Sequence, residues 1–394
     1  MLKKLLFGVF VCVLVVMPFV SPATTLDEGP RNVIILIGDG MGFEHVKAAG
    51  MYANGSEGTL SFESMPHRAE MTTDSADGDI TDSAAGGTAI ATGYKVNNGV
   101  ISKAIPSNDR YSLGENMQTL MEYYKLRGRA TGLVSTTYIS HATPASFAAH
   151  QPSRNDYAEI IDDYLNKSRP EVLMGGAKYV SRERAESAGY TVVTDRDSLT
   201  GIEAHTVGRL WGQFGEDHMP YEYDGPDNLP QLSEMTAAAI SLLEKGEDGF
   251  FLMVEGGRID HASHANDIER TVTETVEFAN TVQVVMDWAA GRSDTLVLVT
   301  SDHETGGLEV LSNGGRGEFP EVSWSSTGHT SDRVPVYAWG RNAERVSGVM
   351  DNTDLFAIAA VGEPASVSAA AVLGICGLMV LRRRGRALTV QKHT

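Results

Sequence analysis

The chain has 394 residues, of which 42% are hydrophobic and 21% are charged. This composition is typical of a large globular domain and excludes collagen-like, disordered and disulfide-scaffold proteins. The 32 basic and 51 acidic side chains give a net charge of −19. Nucleic-acid backbones are bound by surfaces rich in lysine and arginine, so this balance argues against nucleic acid as a partner.

The first 23 residues have the pattern of a secretory signal peptide. Two lysines precede an apolar run from Leu5 to Val20, and the small residues Ser21 and Ala23 follow it. The alternative is a membrane anchor, because the apolar run is long for a signal. We favour a signal peptide over residues 1–23, cleaved from a catalytic domain at 24–361. The protein would then act outside the cytoplasm.

A second apolar run, from Ala369 to Leu381, precedes a cluster of arginines near the C-terminus. Its length is below the roughly 20 apolar residues that span a bilayer comfortably. Together with the Gly-Glu-Pro-Ala-Ser segment that begins at Gly362, it resembles the PEP-CTERM sorting signals of Gram-negative bacteria; the alternative is a plain membrane anchor. We therefore expect residues 362–394 to contact the membrane or a sorting machinery, and the protein to be periplasmic, cell-surface or secreted. Cys12 and Cys376, the two cysteines, lie in the terminal segments.

Between these ends, short apolar runs alternate with helical patterns such as Leu113–Leu126 and Leu232–Glu244. The alternation predicts an α/β fold whose large, mostly parallel sheet is covered by helices on both faces. Residues 197–231 are rich in Gly, Pro and Asp, and we expect them to form a long surface excursion. The predicted strands are Val33–Ile37, Gly132–Ser135, Val172–Met174, Phe250–Val254, Thr295–Thr300 and Val334–Ala338.

Acidic side chains follow three of the predicted strands. Asp39, Glu255 and Asp302 each stand just after an apolar run, and His303 adjoins the last of them. The carboxyl ends of parallel strands border the ligand crevice of such sheets. A buried carboxylate is costly unless a cation or hydrogen bonds compensate its charge. Three acidic residues that each follow a buried strand therefore favour a common metal site.

Two further segments supply ligands of the same type. Asp260 and His264 are four residues apart and share one face if the segment is helical. His329 lies in a glycine-containing loop before a predicted strand. Carboxylate and imidazole without thiolate suit Zn²⁺ in a catalytic site. A lone histidine is more often an ordinary core or surface residue, and we assign His45, His67, His150, His205 and His218 to that class.

Ser83 is the candidate nucleophile. It precedes a run of small residues and is predicted to lie near a helix start, where the free N–H groups and the helix dipole stabilise an anion. The alternative is a simple N-cap, which Asp82 or Ser83 would form. His141 and Thr143 follow another strand, and Arg154 beyond them could bind phosphate oxygens through paired N–H groups.

The motifs that contain these residues resemble those of the alkaline phosphatase family and occur in its order over residues 31–360. The resemblance implies the three-layer α/β sandwich of that family. The motifs are Gly38-Asp39-Gly40-Met41-Gly42, Asp82-Ser83-Ala84-Ala85, His141-Ala142-Thr143-Pro144-Ala145, Val254-Glu255-Gly256-Gly257-Arg258-Ile259-Asp260-His261 and Thr300-Ser301-Asp302-His303.

The resemblance also implies three metal sites, two for Zn²⁺ and one for Mg²⁺. Ser83 would be the nucleophile and bind the second zinc ion, and Arg154 would clamp the phosphate. His141 and His261 would lie near the metal ions, at positions where the enterobacterial form has Asp and Lys, and in this they resemble the animal type. The implied ligand sets are Asp260, His264 and His329 for the first zinc ion; Asp39, Asp302 and His303 for the second; and Asp39, Thr143 and Glu255 for Mg²⁺.

The function implied is hydrolysis of small phosphomonoesters through a phosphoserine intermediate, with release of inorganic phosphate. The alternatives are a phosphodiesterase or nucleotide pyrophosphatase of the same superfamily, or an inactive surface phosphate-binding protein. Ser83, Thr143 and Glu255, with Arg154, favour monoesters. Only a short stretch separates His303 from His329, where larger members carry a crown insertion. The dimer contacts of that insertion are therefore not expected, and a homodimer stays open.

Overall fold

The computed structural model describes residues 29–108 and 110–360; the predicted signal peptide and C-terminal segment lie outside them. Its strands are β1 (Asn32–Gly38), β2 (His67–Thr72), β3 (Ala130–Tyr138), β4 (Val172–Gly176), β5 (Thr191–Val193), β6 (Leu210–Gln213), β7 (Phe250–Gly256), β8 (Thr295–Thr300), β9 (Glu304–Thr305), β10 (Leu308–Ser312), β11 (Glu321–Trp324), β12 (His329–Thr330), β13 (Val334–Gly340) and β14 (Gly348–Asp351).

The helices pack around these strands. They are α1 (Phe43–Asn54), α2 (Ser83–Thr92), α3 (Leu120–Lys125), α4 (Ala142–Ala148), α5 (Tyr157–Asp163), α6 (Arg182–Ser187), α7 (Arg196–Thr200), α8 (Leu232–Leu243), α9 (Arg258–His264), α10 (Ile268–Ala289) and α11 (Asp354–Ala359). Short 3₁₀ or π turns lie at Ser61–Ser64, Tyr164–Ser168, Ala204–Thr206, Glu222–Asp224 and Ala343–Arg345.

Ten strands form one sheet in the order β14-β2-β13-β8-β1-β7-β3-β4-β6-β5. Neighbouring strands are parallel except around β13, which pairs antiparallel with both β2 and β8. In the central strand β1, Val33, Ile35 and Ile37 pack with α2, α3 and α4 on one face. Ile34 and Leu36 pack with α1, α8 and α10 on the other. These layers confirm the predicted α/β class, and burial on both faces explains the uninterrupted apolar runs.

The helix predicted over Leu113–Leu126 was wrong in its first half, because α3 begins only at Leu120. Gly114 has a φ of +76°, outside the helical region. The segment before α3 pairs instead with an earlier one, since the Met117 amide donates to the Ser102 carbonyl at 3.0 Å. Thr119 then caps α3 by accepting a hydrogen bond from the Glu122 amide.

The surface excursion predicted for residues 197–231 was also wrong in part. Within it, β6 lies between β4 and β5 in the main sheet, and Trp211 is fully buried. A strand of four residues that includes a glycine has too short an apolar run to stand out in the sequence. Among the helices of the described ranges, none combines the length and the apolar character needed to cross a bilayer.

Candidate active site

The acidic residues predicted at strand ends lie together at one edge of the sheet. Asp39 follows β1, Glu255 lies near the end of β7, and Asp302 follows β8; all three are fully buried. The three strands are neighbours, with β1 between β7 and β8. Parallel pairing in register therefore brings residues more than 200 positions apart to the same point.

Three clusters of residues could each supply ligand atoms to a metal ion, and we call them donor groups. The first donor group is Asp260, His264 and His329. One ligand atom from each lies within 4.8 Å of the others. Asp260 and His264 share a face of α9, and their Oδ1 and Nε2 atoms are 3.4 Å apart. The two Nε2 atoms of His264 and His329 approach to 3.1 Å. The structure thus brings together the three residues that were predicted to form the first metal site.

Both histidines of this group present a lone pair to its centre. His264 Nδ1 lies 2.6 Å from the Thr327 carbonyl oxygen, and His329 Nδ1 lies 2.7 Å from the Thr81 carbonyl oxygen. A carbonyl only accepts, so each Nδ1 carries a proton, and in the neutral ring each Nε2 then keeps its lone pair. Two lone pairs and a carboxylate facing one another repel unless a cation lies between them. The donor set therefore fits a divalent ion.

The second group is Asp39, Asp302 and His303, all fully buried. His303 Nε2 lies 3.4 Å from Asp39 Oδ1 and 3.4 Å from Asp302 Oδ2. Burial and the nearby Asp302 and Asp260 raise the pKa of Asp39 well above its usual value. Burial, with Asp260 and Glu255 near it, raises the pKa of Asp302 to about 8. Both pKa values are raised, as expected for carboxylates that are buried close to one another.

Ser83 is the first residue of α2, and its hydroxyl oxygen lies 3.4 Å from His303 Nε2. Asp82 caps the helix by accepting from the Ala85 amide. The small residues that follow allow close packing: a Cβ added to Gly86 would come within 2.9 Å of the Asp302 carbonyl oxygen. The predicted nucleophile therefore stands at a helix N-terminus, directly beside the second group.

The third group is Asp39, His141 and Glu255. From the sequence, His141 was expected only near a metal site, so its membership in the group is new. Glu255 Oε2 accepts hydrogen bonds from the hydroxyls of Ser135 and Thr137. The Thr143 side chain is a further hydrogen-bonding neighbour of Glu255, and both carboxylate oxygens of Asp39 are buried without a hydrogen-bond partner in the described structure. An oxygen-rich site with unpartnered donors fits a hard cation.

Arg154 is held by Asp82, the residue that precedes Ser83. Its Nη1 donates to Asp82 Oδ2 at 2.9 Å, and its Nη2 lies 3.3 Å from His141 Nε2. Asp82 thus forms an ion pair with Arg154 and caps the helix that begins at Ser83. From the sequence, Asp82 was expected only as an N-cap, because it and Arg154 are 72 positions apart along the chain.

His261 and His218 extend the site next to His141. The His218 ring centre lies 4.5 Å from that of His261, and the His141 centre lies 5.6 Å from it. Burial, with neighbouring positive groups, lowers the pKa of His261 to about 4 and that of His218 to about 3. Both rings are therefore neutral. His218 was assigned to the ordinary histidines, and its position on a long loop gave no signal of this contact.

The other histidines of that class lie outside the three groups. His45 is buried, with its Nε2 3.1 Å from the Ser263 hydroxyl. His150 lies between Glu122 and the Ser102 carbonyl. The edge of the sheet thus combines a serine at a helix N-terminus, an arginine and three groups that fit cations, a combination that suits the transfer of a phosphoryl group.

The sequence profile of the family described as "Alkaline phosphatase" matches residues 30–319 and 316–362. Alkaline phosphatase 3 of Bacillus subtilis is 31% identical, over 82% of this chain and 87% of the relative. Streptomycin-6-phosphate phosphatase of Streptomyces griseus is 34% identical, over 89% and 94%. The solved cold-active alkaline phosphatase of a Shewanella species has a TM-score of 0.74 and 30% identity, over 83% and 98%.

These matches cover nearly the whole described chain, and the similarity to the Shewanella structure shows that the ten-stranded sheet with helices on both faces is the alkaline phosphatase fold. Family membership indicates the activity that the donor groups and the buried serine serve. The chain belongs to the alkaline phosphatase family and is a metal-dependent phosphomonoester hydrolase.

Proposed function

We propose that Ser83 is the nucleophile of this hydrolase and that the reaction passes through a phosphoserine intermediate. The observation that supports this most is the position of the Ser83 hydroxyl at the first residue of α2, 3.4 Å from His303 Nε2. The positive end of the helix dipole favours an ionised hydroxyl there. The adjoining donor group would hold a cation that favours it further.

In the first step, Ser83 Oγ attacks phosphorus. A bond forms between them while the bond from phosphorus to the ester oxygen breaks. The serine hydroxyl gives up its proton, and the leaving oxygen takes up a proton to depart as the alcohol. Arg154 donates paired N–H groups to the non-bridging oxygens, and its ion pair with Asp82 keeps the guanidinium in place. In the second step water attacks the phosphoserine, phosphate leaves, and Ser83 is restored. Arg154 binds the same oxygens in both steps.

The proposed ion sites follow the three donor groups. Asp260, His264 and His329 would hold one Zn²⁺, and Asp39, Asp302 and His303 a second, next to Ser83. Asp39, Thr143 and Glu255 would hold Mg²⁺, with the His141 imidazole close by. When bound, these ions supply Lewis acidity that lowers hydroxyl and water pKa values and offsets charge on phosphoryl and leaving oxygens.

The proposed place of action is outside the cytoplasm of a Gram-negative bacterium. Support comes from the signal-peptide pattern of residues 1–23 and the PEP-CTERM-like pattern of residues 362–394. Residues 24–361 would be the catalytic domain. Fractionation of cells that express the chain tests this, with terminal sequencing of the mature product. A full-length product retained in the cytoplasm would contradict it.

The proposed substrates are small phosphomonoesters. The relative from Streptomyces is named for streptomycin 6-phosphate, and it supports this class without selecting one member of it. A phosphodiesterase remains the competing activity.

Turnover of p-nitrophenyl phosphate beside bis-p-nitrophenyl phosphate, each with and without a chelator, tests the proposal. We expect rapid, chelator-sensitive cleavage of the monoester and slow cleavage of the diester. Predominant diester cleavage would assign the chain to the phosphodiesterase alternative. Turnover of neither compound, in protein loaded with zinc and magnesium, would indicate an inactive phosphate-binding protein.

A further inference from the structure

Thr305 lies where the first and second donor groups meet, although no motif contains it. It belongs to β9, is fully buried, and pairs across the antiparallel ladder with His329 of the first group. Its backbone amide donates to the Gly40 carbonyl oxygen at 3.1 Å, next to Asp39 of the second group. Its backbone is thus tied to both groups.

The Thr305 hydroxyl joins the two groups through its side chain as well. It donates a hydrogen bond to Asp260 Oδ1 at 2.6 Å, and its oxygen lies 3.3 Å from His303 Nδ1. A hydroxyl has a single proton, and the Thr305 hydroxyl uses it in the hydrogen bond that it donates to Asp260 Oδ1. The oxygen can therefore only accept from His303, so the imidazole proton resides on Nδ1.

This arrangement sets the tautomer of His303. With its proton on Nδ1, the ring presents an unprotonated Nε2 to Ser83 and the second group, as a metal ligand must. His264 and His329 are oriented in the same sense by backbone carbonyl oxygens. His303 interacts with a backbone group of Glu304 and with the Thr305 hydroxyl, and only the hydroxyl can be removed by a substitution.

Gly40 leaves the space that the hydroxyl occupies. A Cβ on Gly40 would lie 2.8 Å from Thr305 Oγ1 and 3.0 Å from the Asp260 Cα. The φ of Gly40 is +74°, in the region that favours glycine. The turn after β1 is therefore shaped so that a polar side chain from β9 can reach a ligand of each group.

We propose that Thr305 is a positioning residue that orients Asp260 and His303 together and so couples divalent-cation binding at the first and second groups. This rests on the proposed metal sites. Groups that orient metal ligands typically change affinity by about 10- to 100-fold when they are removed. Loss of the hydroxyl removes the hydrogen bond that Asp260 Oδ1 accepts and the contact at His303 Nδ1, so both ligands lose a shared point of attachment.

The experiment compares Thr305→Val, which keeps the shape and removes the hydroxyl, with Thr305→Ser, which keeps the hydroxyl. A second pair, Thr305→Ala and Thr305→Ser, differs by one oxygen and avoids any packing problem of valine. Metal-free protein is titrated with Zn²⁺ against a competing chelator. Co²⁺ replaces it in a second titration, in which the visible absorption spectrum reports ligand geometry. Thermal unfolding of each metal-free variant checks that it is folded.

We expect Thr305→Val and Thr305→Ala to bind the two zinc ions about 10- to 100-fold more weakly and to change the cobalt spectrum. Thr305→Ser should retain the wild-type affinity within about threefold. Wild-type affinity and spectrum in the alanine variant would overturn the proposal, as would an equal loss in the alanine and serine variants. A wild-type chain that binds no divalent ion would instead refute the proposed metal sites.

Discussion

Asp82 accepts a hydrogen bond from Arg154 Nη1 at 2.9 Å through Oδ2 and from the Ala85 amide at 2.9 Å through Oδ1. One carboxylate therefore holds the phosphate-type clamp and the helix on which Ser83 stands. The two functions can be separated, because asparagine caps helices nearly as well as aspartate but carries no charge.

We expect Asp82→Asn to raise KM and the inhibition constant for inorganic phosphate by roughly 3- to 10-fold, with a small change in stability, because Arg154 loses its charged partner. Asp82→Ala should show the same kinetic effect and also lose about 1 kcal/mol of stability with the cap. Steady-state kinetics and urea unfolding measure the two effects. Unchanged phosphate inhibition in both variants would contradict the role of this pair.

Metal removal should destabilise the folded chain, because the buried carboxylates of the donor groups then repel one another. His264→Ala should lower the zinc content of the dialysed protein by about one ion per chain and reduce the fall in Tm that a chelator causes. His205→Ala is the matched control, since His205 is 78% exposed and lies outside the groups. Atomic absorption and thermal unfolding provide the measurements. Equal zinc contents in the two variants would refute the first site.

A buried carboxyl away from the donor groups should make stability depend on pH. Burial raises the pKa of Glu274 to about 8 from its ordinary 4.5. The folded chain therefore holds this proton more tightly than the unfolded chain. The stability that the proton contributes is complete below about pH 4.5 and is lost as pH rises through about 8.

Glu274→Gln mimics the protonated form at every pH and can still accept from the Glu222 amide. We expect its Tm to rise relative to wild type between about pH 5 and about pH 9. Glu247→Gln, at an exposed position, should track the wild type throughout. A constant difference between Glu274→Gln and wild type would show that Glu274 stays ionised.

The central strands and the donor residues could be predicted because their signals are local. An apolar run that ends at an acidic residue contains both the strand and its buried carboxylate, as at Val33–Ile37 and Asp39. The register of neighbouring parallel strands then places the carboxylates together. Asp260 and His264 likewise needed only a helical spacing of four, which α9 provides.

Contacts between distant segments could not be predicted. Thr305 and His218 have no local pattern, and their significance comes from hydrogen bonds or ring contacts with residues far along the chain or on another element. The strand at Leu210–Gln213 was missed because its apolar run is short, and only the pairing partners on either side stabilise it. Residues 113–119 were misjudged because tertiary pairing overrode a helical spacing of apolar residues.

The most direct test of the central claim is identification of the phosphorylated residue. The metal-loaded enzyme is mixed with excess phosphomonoester, quenched in acid, digested and analysed by mass spectrometry. We predict one phosphoryl group on Ser83, absent from Ser83→Ala, which should also lose nearly all turnover. A phosphoryl group on another residue, or substantial turnover in Ser83→Ala, would contradict the account.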